Sequence, residues 1–148
     1  MTTMLSDRVR AHTAPHVNRR IDEAAEEHVQ KYAGASNEDI TRRIEELDRE
    51  WDIERVLETN ASSFAFAGIV AAIVSSRKWL ILPSVVLPFL FLHAVQGWCP
   101  PLPILRRLGV RTRKEIDAEK YALKALRGDF QGITGSASGS TALIAAKM

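Results

Sequence analysis

Residues 61–98 read ASSFAFAGIVAAIVSSRKWLILPSVVLPFLFLHAVQGW, and these 38 residues hold only two formal charges, Arg77 and Lys78. The two charges divide the stretch into apolar runs from Ala61 to Ser76 and from Trp79 to Trp98. At about 1.5 Å rise per residue, the 20 residues of the second run cover the roughly 30 Å hydrocarbon core of a bilayer. The 16 residues of the first reach that length with Thr59 and Asn60 added, or in a slightly thinned bilayer. The pattern predicts an all-α protein organised around an integral membrane helical hairpin. A buried hairpin in a soluble fold is the alternative, disfavoured because no other part of the chain is apolar enough to cover such a pair.

Charge divides the chain the same way. Residues 1–60 carry nine basic and fourteen acidic side chains, and residues 99–148 carry nine and four, so an acidic arm and a basic arm leave the hairpin with net charges of −5 and +5. Nucleic acid is an unlikely partner for this distribution, since the basic residues are mixed with acids and lack a recognised binding motif. Within about 20 residues of the spans the arms supply nine cations (Arg42, Arg43, Arg49, Arg55, Arg106, Arg107, Arg111, Arg113 and Lys114) against two in the connecting loop. Both termini are therefore expected in the cytoplasm. Arg8, Arg10, Arg19 and Arg20 are followed by acids rather than by an apolar core, so the first span is expected to act as its own insertion signal.

The arm before the hairpin reads as helices. Residues 1–14 lack sustained periodicity and are expected to be disordered. An amphipathic arm over 15–60 begins at Pro15, with Val17, Ile21, Ala24, Ala25, His28 and Tyr32 at helical spacing and Gly34 as the stop. Ser36 with Asp39 three residues on marks a second helical start. Ile40, Ile44, Leu47 and Trp51 then form one narrow seam, expected to pack between subunits because no partner for it is evident in the chain except the Ala-rich side of the first helix. Ile53, Val56 and Leu57 fall nearly opposite that seam and are expected along the membrane surface, so residues 37–60 form either one bent helix or two.

Within the hairpin of residues 61–98, Gly68, Ala72 and Ser76 recur every fourth position and make one smooth side for close helix contact, either with the second span or with a neighbouring subunit. Trp51, Trp79 and Trp98 are placed at the membrane interface. Pro83 and Pro88 predict kinks, and His93 and Gln96 are candidates for hydrogen bonds across helices. Over 99–127, three prolines in Cys99-Pro100-Pro101-Leu102-Pro103 force a turn. Arg106 and Arg107 are then expected to face lipid headgroups, and a basic helix opens at Thr112, with Glu115 three residues on, and ends at Gly128. Residues 128–148 read as a flexible tail.

The pieces Asp52-Ile53-Glu54-Arg55, leading into the first span, and Gly97-Trp98-Cys99-Pro100, closing the second, are followed by apolar residues and Gly109. In order and spacing, Asp52 to Gly109 resembles the YgaP-type two-helix inner-membrane domain, a bacterial family largely of unknown function that is sometimes fused to a rhodanese domain carrying sulfur as a persulfide. The resemblance implies a bacterial inner-membrane location. No nucleophile with a base, paired carboxylates or phosphate loop can be assembled, and His12 and His16 make a poor metal pair beside Pro15, so no enzyme, cofactor or metal is expected. Two functions remain: a self-associating scaffold or accessory subunit of a larger membrane complex, in contact with membrane lipids, or a thiol relay through Cys99, the only cysteine.

Overall fold

The computed structural model describes residues 7–131, which are helical with no strand among them. They form α1 (Arg8–Ala11), α2 (Pro15–Tyr32), α3 (Asn37–Arg49), α4 (Ile53–Val74), a 3₁₀ helix (Arg77–Leu80), α5 (Ile81–Gln96), α6 (Leu102–Arg107) and α7 (Arg113–Arg127). Two compact units share this chain. One takes the described residues up to Ile21 with Trp51–Lys114; the other takes Asp22–Glu50 and the described residues from Glu115 on.

Local chemistry accounts for the helix limits. The Ser36 hydroxyl accepts from Asp39 N–H at the start of α3, and the Asp52 carboxylate accepts from Arg55 N–H at the start of α4. Gly34, Gly97 and Gly128 hold φ of 91°, 79° and 90° at helix ends, the left-handed region that L side chains disfavour. Residues 37–60 are thus two helices broken at Glu50–Asp52, and the second is continuous with the first apolar run. Ile53 and Leu57 do not lie along a surface as expected: with Val9, Cys99 and Leu102 they form a core that Leu105 and Val110 flank. Val9 also corrects the expectation of disorder through residue 14, because Asp7 caps α1 and Val9 is 3% exposed. Residues 1–6 of that stretch, and the expected tail from 132 to 148, lie outside the described residues.

α4 has 22 residues, about 33 Å of helix, and the 3₁₀ helix with α5 adds 20 residues of about the same length. Both are long and apolar enough to cross a membrane. Their inner faces are small and tightly fitted: Ala65, Gly68 and Pro83 are buried, and Ala72 and Ser76 are half-buried. The Gly68 side therefore meets the second helix of the same chain, which decides between the two partners left open by the sequence. Pro83 falls in the first turn of α5, where a missing N–H is tolerated, so only Pro88 lies inside the helix.

The second unit has its own core. Ile40, Ile44 and Leu47 pack with Ile116 and Leu123, with Tyr32 and Ala35 alongside. This corrects the expectation that the seam lacks a partner in the chain: α7 supplies it, at a separation of some seventy residues that periodicity does not reveal. Trp51, which belongs to the first unit, is 47% exposed, with the Arg55 guanidinium 4.4 Å from its ring centre. Charged groups close the second unit. Arg43 Nε and Nη2 donate to Glu119 Oε1 at 3.1 and 2.9 Å, Lys120 pairs with Asp48, and Arg127 donates to Thr41 Oγ1 at 2.7 Å. Glu45 and Glu46 lie on the solvated face, paired with Arg49 and Arg43.

Candidate functional site

The first unit builds its site at the end of the α4–α5 pair away from the Arg77–Lys78 turn. Asp7 holds α1 there, accepting from Val9 N–H at 3.1 Å, from Arg10 N–H at 3.3 Å and from the Thr112 hydroxyl at 2.7 Å. The Thr112 hydroxyl, expected to open a capping box on α7, donates this bond to Asp7 Oδ2. Arg8 Nη1 donates to the carbonyls of Ala94 and Val95 at 2.6 and 3.1 Å, placing a cation on the last turn of α5, where unsatisfied carbonyls and the helix dipole favour it. Gly97 permits this approach, since a Cβ there would fall 2.4 Å from Arg8 Cβ.

Arg106 was expected at the headgroups, yet it is fully buried. Its guanidinium donates to Thr13 Oγ1 at 3.2 Å, Val110 O at 3.1 Å and Asn18 Oδ1 at 2.9 Å. The fork geometry of arginine suits three divergent acceptors, and hydrogen bonds to a charged group contribute about 1.5–3 kcal/mol each. Asn18 is itself held by Arg10 O at 3.0 Å. Arg107 is exposed, and its carbonyl accepts from Arg20 Nη2 at 2.6 Å. Trp79 and Trp98 remain partly exposed at 49% and 38%, at opposite ends of the helical pair.

Cys99 is 3% exposed within the Val9, Ile53, Leu57 and Leu102 core. Burial pushes its thiol up from the ordinary range, against a smaller opposing effect of the Leu102 backbone. The nearby cation Arg106 is engaged with Thr13, Asn18 and Val110.

Two cavities flank His93. One, of about 340 Å³, is apolar and runs between α4, α5 and the Cys99–Pro101 turn, with Phe64, Val86, Phe89 and Leu90 among its walls. The other, of about 640 Å³, is polar and takes in Glu54, Glu58, Arg8 and Lys114. His93 is 7% exposed and its Nδ1 has no hydrogen-bond partner, and Glu54 Oε2 is likewise buried without one. The bond expected across helices from His93 and Gln96 is absent, with Gln96 exposed on the outer side. Among the described residues no cluster of three or more metal-ligating side chains occurs, and His12 Nδ1 lies 2.9 Å from Arg8 O within its own helical turn.

Sequence reasoning missed Asp7, Arg8 and the three-acceptor setting of Arg106, because each acts on groups some ninety residues away. The one local signal was Asp7 preceding Arg8–Ala11 as a capping residue. Compared with protein families, curated proteins and solved structures, the chain finds no match.

Proposed function

We propose that this chain is a non-enzymatic bacterial inner-membrane protein, anchored by the α4–α5 hairpin with both termini in the cytoplasm, that serves as a self-associating scaffold or accessory subunit of a membrane complex. The observation that carries this reading is the outward face of the hairpin. Phe66, Ile73 and Val74 on α4 are 70%, 81% and 78% exposed, and Ile81, Phe91 and Val95 on α5 are 70%, 67% and 55% exposed. In the most apolar windows only 17% and 11% of residues are buried, the reverse of a core helix in a water-soluble fold. Hydrocarbon is the solvent that such a surface suits.

The likeness of Asp52 to Gly109 to the YgaP-type domain and the nine-to-two cation bias support the inner-membrane orientation. The α3 seam and the Gly68 face are both occupied within the chain, so contact with further copies or other subunits falls to the outer hairpin face and to Trp51. Cys99 buried with a raised pKa weighs against a thiol relay. The test is alkaline carbonate extraction of cells expressing the chain, with a reporter active only in the cytoplasm fused at residue 148. Retention in the pellet with an active reporter is expected; extraction into the supernatant overturns the anchor, and a silent reporter on inserted protein overturns the orientation.

A further inference from the structure

We propose that the two cavities meeting at His93 form one site for a phospholipid whose headgroup carries a primary ammonium and a phosphate. This inference rests on the membrane reading above and adds a ligand to it. The polar cavity of about 640 Å³ places the carboxylates of Glu54 and Glu58 with the cations Arg8, Arg113 and Lys114 in one chamber. Two of the residues lining it, Glu54 and His93, each carry a buried atom, Oε2 and Nδ1, that has no partner. Interior polar atoms are almost always paired, so two orphans on one chamber mark a place where a polar guest is missing from their surroundings. Water would satisfy an orphan atom, but it does not account for opposed carboxylates and cations around the same space.

The chemistry on each side selects the guest. A carboxylate only accepts, so Glu54 Oε2 calls for a donor, and a primary ammonium brings three N–H groups. The cations suit a phosphate, and Arg8 commits only Nη1 to Ala94 O and Val95 O while its planar fork carries five N–H donors. The apolar cavity of about 340 Å³ shares both His93 and Leu90 with the polar one. Its walls of Phe64, Val86 and Phe89 suit an acyl chain, so a charged head and an apolar tail have adjoining places along one pair of helices. Choline headgroups lack the N–H donors, and glycerol headgroups lack the cation.

Native mass spectrometry of the full chain in mild detergent tests this, with dioleoyl phosphatidylethanolamine, phosphatidylcholine or phosphatidylglycerol added in equal amounts and free phosphoethanolamine as a fourth arm. The expected result is at least tenfold higher retention of the ethanolamine lipid than of the other two, with free phosphoethanolamine bound weakly. Glu54→Gln is expected to reduce that preference about tenfold. Glu58→Gln, at an exposed side chain whose loss does not threaten the core, should reduce it severalfold. Equal retention of the three lipids, or an unchanged preference in both variants, overturns the site. Binding of free phosphoethanolamine as tight as the lipid removes the acyl groove from it. Release of the chain from membranes by alkaline carbonate overturns the membrane reading instead, which keeps the two failures apart.

Discussion

Gly68 and Pro83 meet with no room for a further atom: a Cβ on Gly68 would fall 2.6 Å from Pro83 Cδ, with Leu82 Cβ and Trp79 O at 3.1 and 3.2 Å. The ring is rigid and three neighbours close on the same point. The distance between α4 and α5 is therefore set by a hydrogen at position 68. Such a close fit is the kind of packing that holds helices together where no hydrophobic driving force acts between them.

Gly68→Ala is accordingly expected to destabilise the hairpin by about 1–3 kcal/mol, the usual range for overpacking, and Gly68→Leu by more. Phe66→Leu, at a side chain 70% exposed, should be close to neutral. Thermal unfolding of the purified variants in one detergent, followed by circular dichroism, measures both; equal midpoints for Gly68→Ala and the parent would show that the helices separate freely.

Arg106→Met leaves Thr13 Oγ1, Asn18 Oδ1 and Val110 O without the donor that reaches each of them, and should destabilise the chain by about 3 kcal/mol or more. Arg106→Lys is expected to recover less than half of the loss, because an ammonium on a single carbon cannot reproduce the fork. Denaturant midpoints of the three proteins give the comparison.

Asp129 accepts from Arg127 Nε and Nη2 at 2.8 and 2.5 Å, and the hydrogen bond to Arg127 holds its carboxyl below the usual carboxylate range. A carboxyl with a depressed folded pKa contributes stability that is complete above its unfolded value of about 3.9 and is lost as pH falls through the lower native value. Asp129→Asn should therefore lower the melting midpoint at pH 7, and the gap between variant and parent should close as pH falls below about 3. A gap that stays constant between the two pH values would mean that the pair contributes nothing.

The Cys99 thiol should label slowly with a maleimide in the folded chain and at the rate of a free thiol once unfolded, since both burial and a raised pKa disfavour the thiolate. Cys99→Ser should still insert and assemble. Labelling of the native protein at the unfolded rate would revive the thiol relay.

Where a residue's role depends on its immediate neighbours, the sequence was legible. Pro15, Gly34, Ser36 and Gly128 bound their helices as their local chemistry requires, and the hairpin is plain from its lack of charge. The partners were not legible. Ile40, Ile44 and Leu47 announce an apolar stripe, but periodicity carries no information that α7 covers it. Arg106 looks like one of many cations near a span, and only the return of Thr13 and Asn18 from the other end of the chain makes it a buried anchor. Residues 7–14 are too short and too polar to show a pattern, and what ties them down, buried Val9 together with the bonds of Asp7, Arg8 and Thr13, reaches groups far along the chain.

Arg8 binds the carbonyl of Ala94, 86 positions further along the chain. Of the other groups around α1, Ile53 and Leu57 come before Ala94, whereas Cys99, Leu102 and Thr112 come after it. At about 5–20 residues per second, the ribosome makes Arg8 on the order of ten seconds before its acceptor exists. During that interval the Arg8 side chain is open to whatever meets the nascent chain. Seating of that side chain therefore reports that the last turn of α5 has been made.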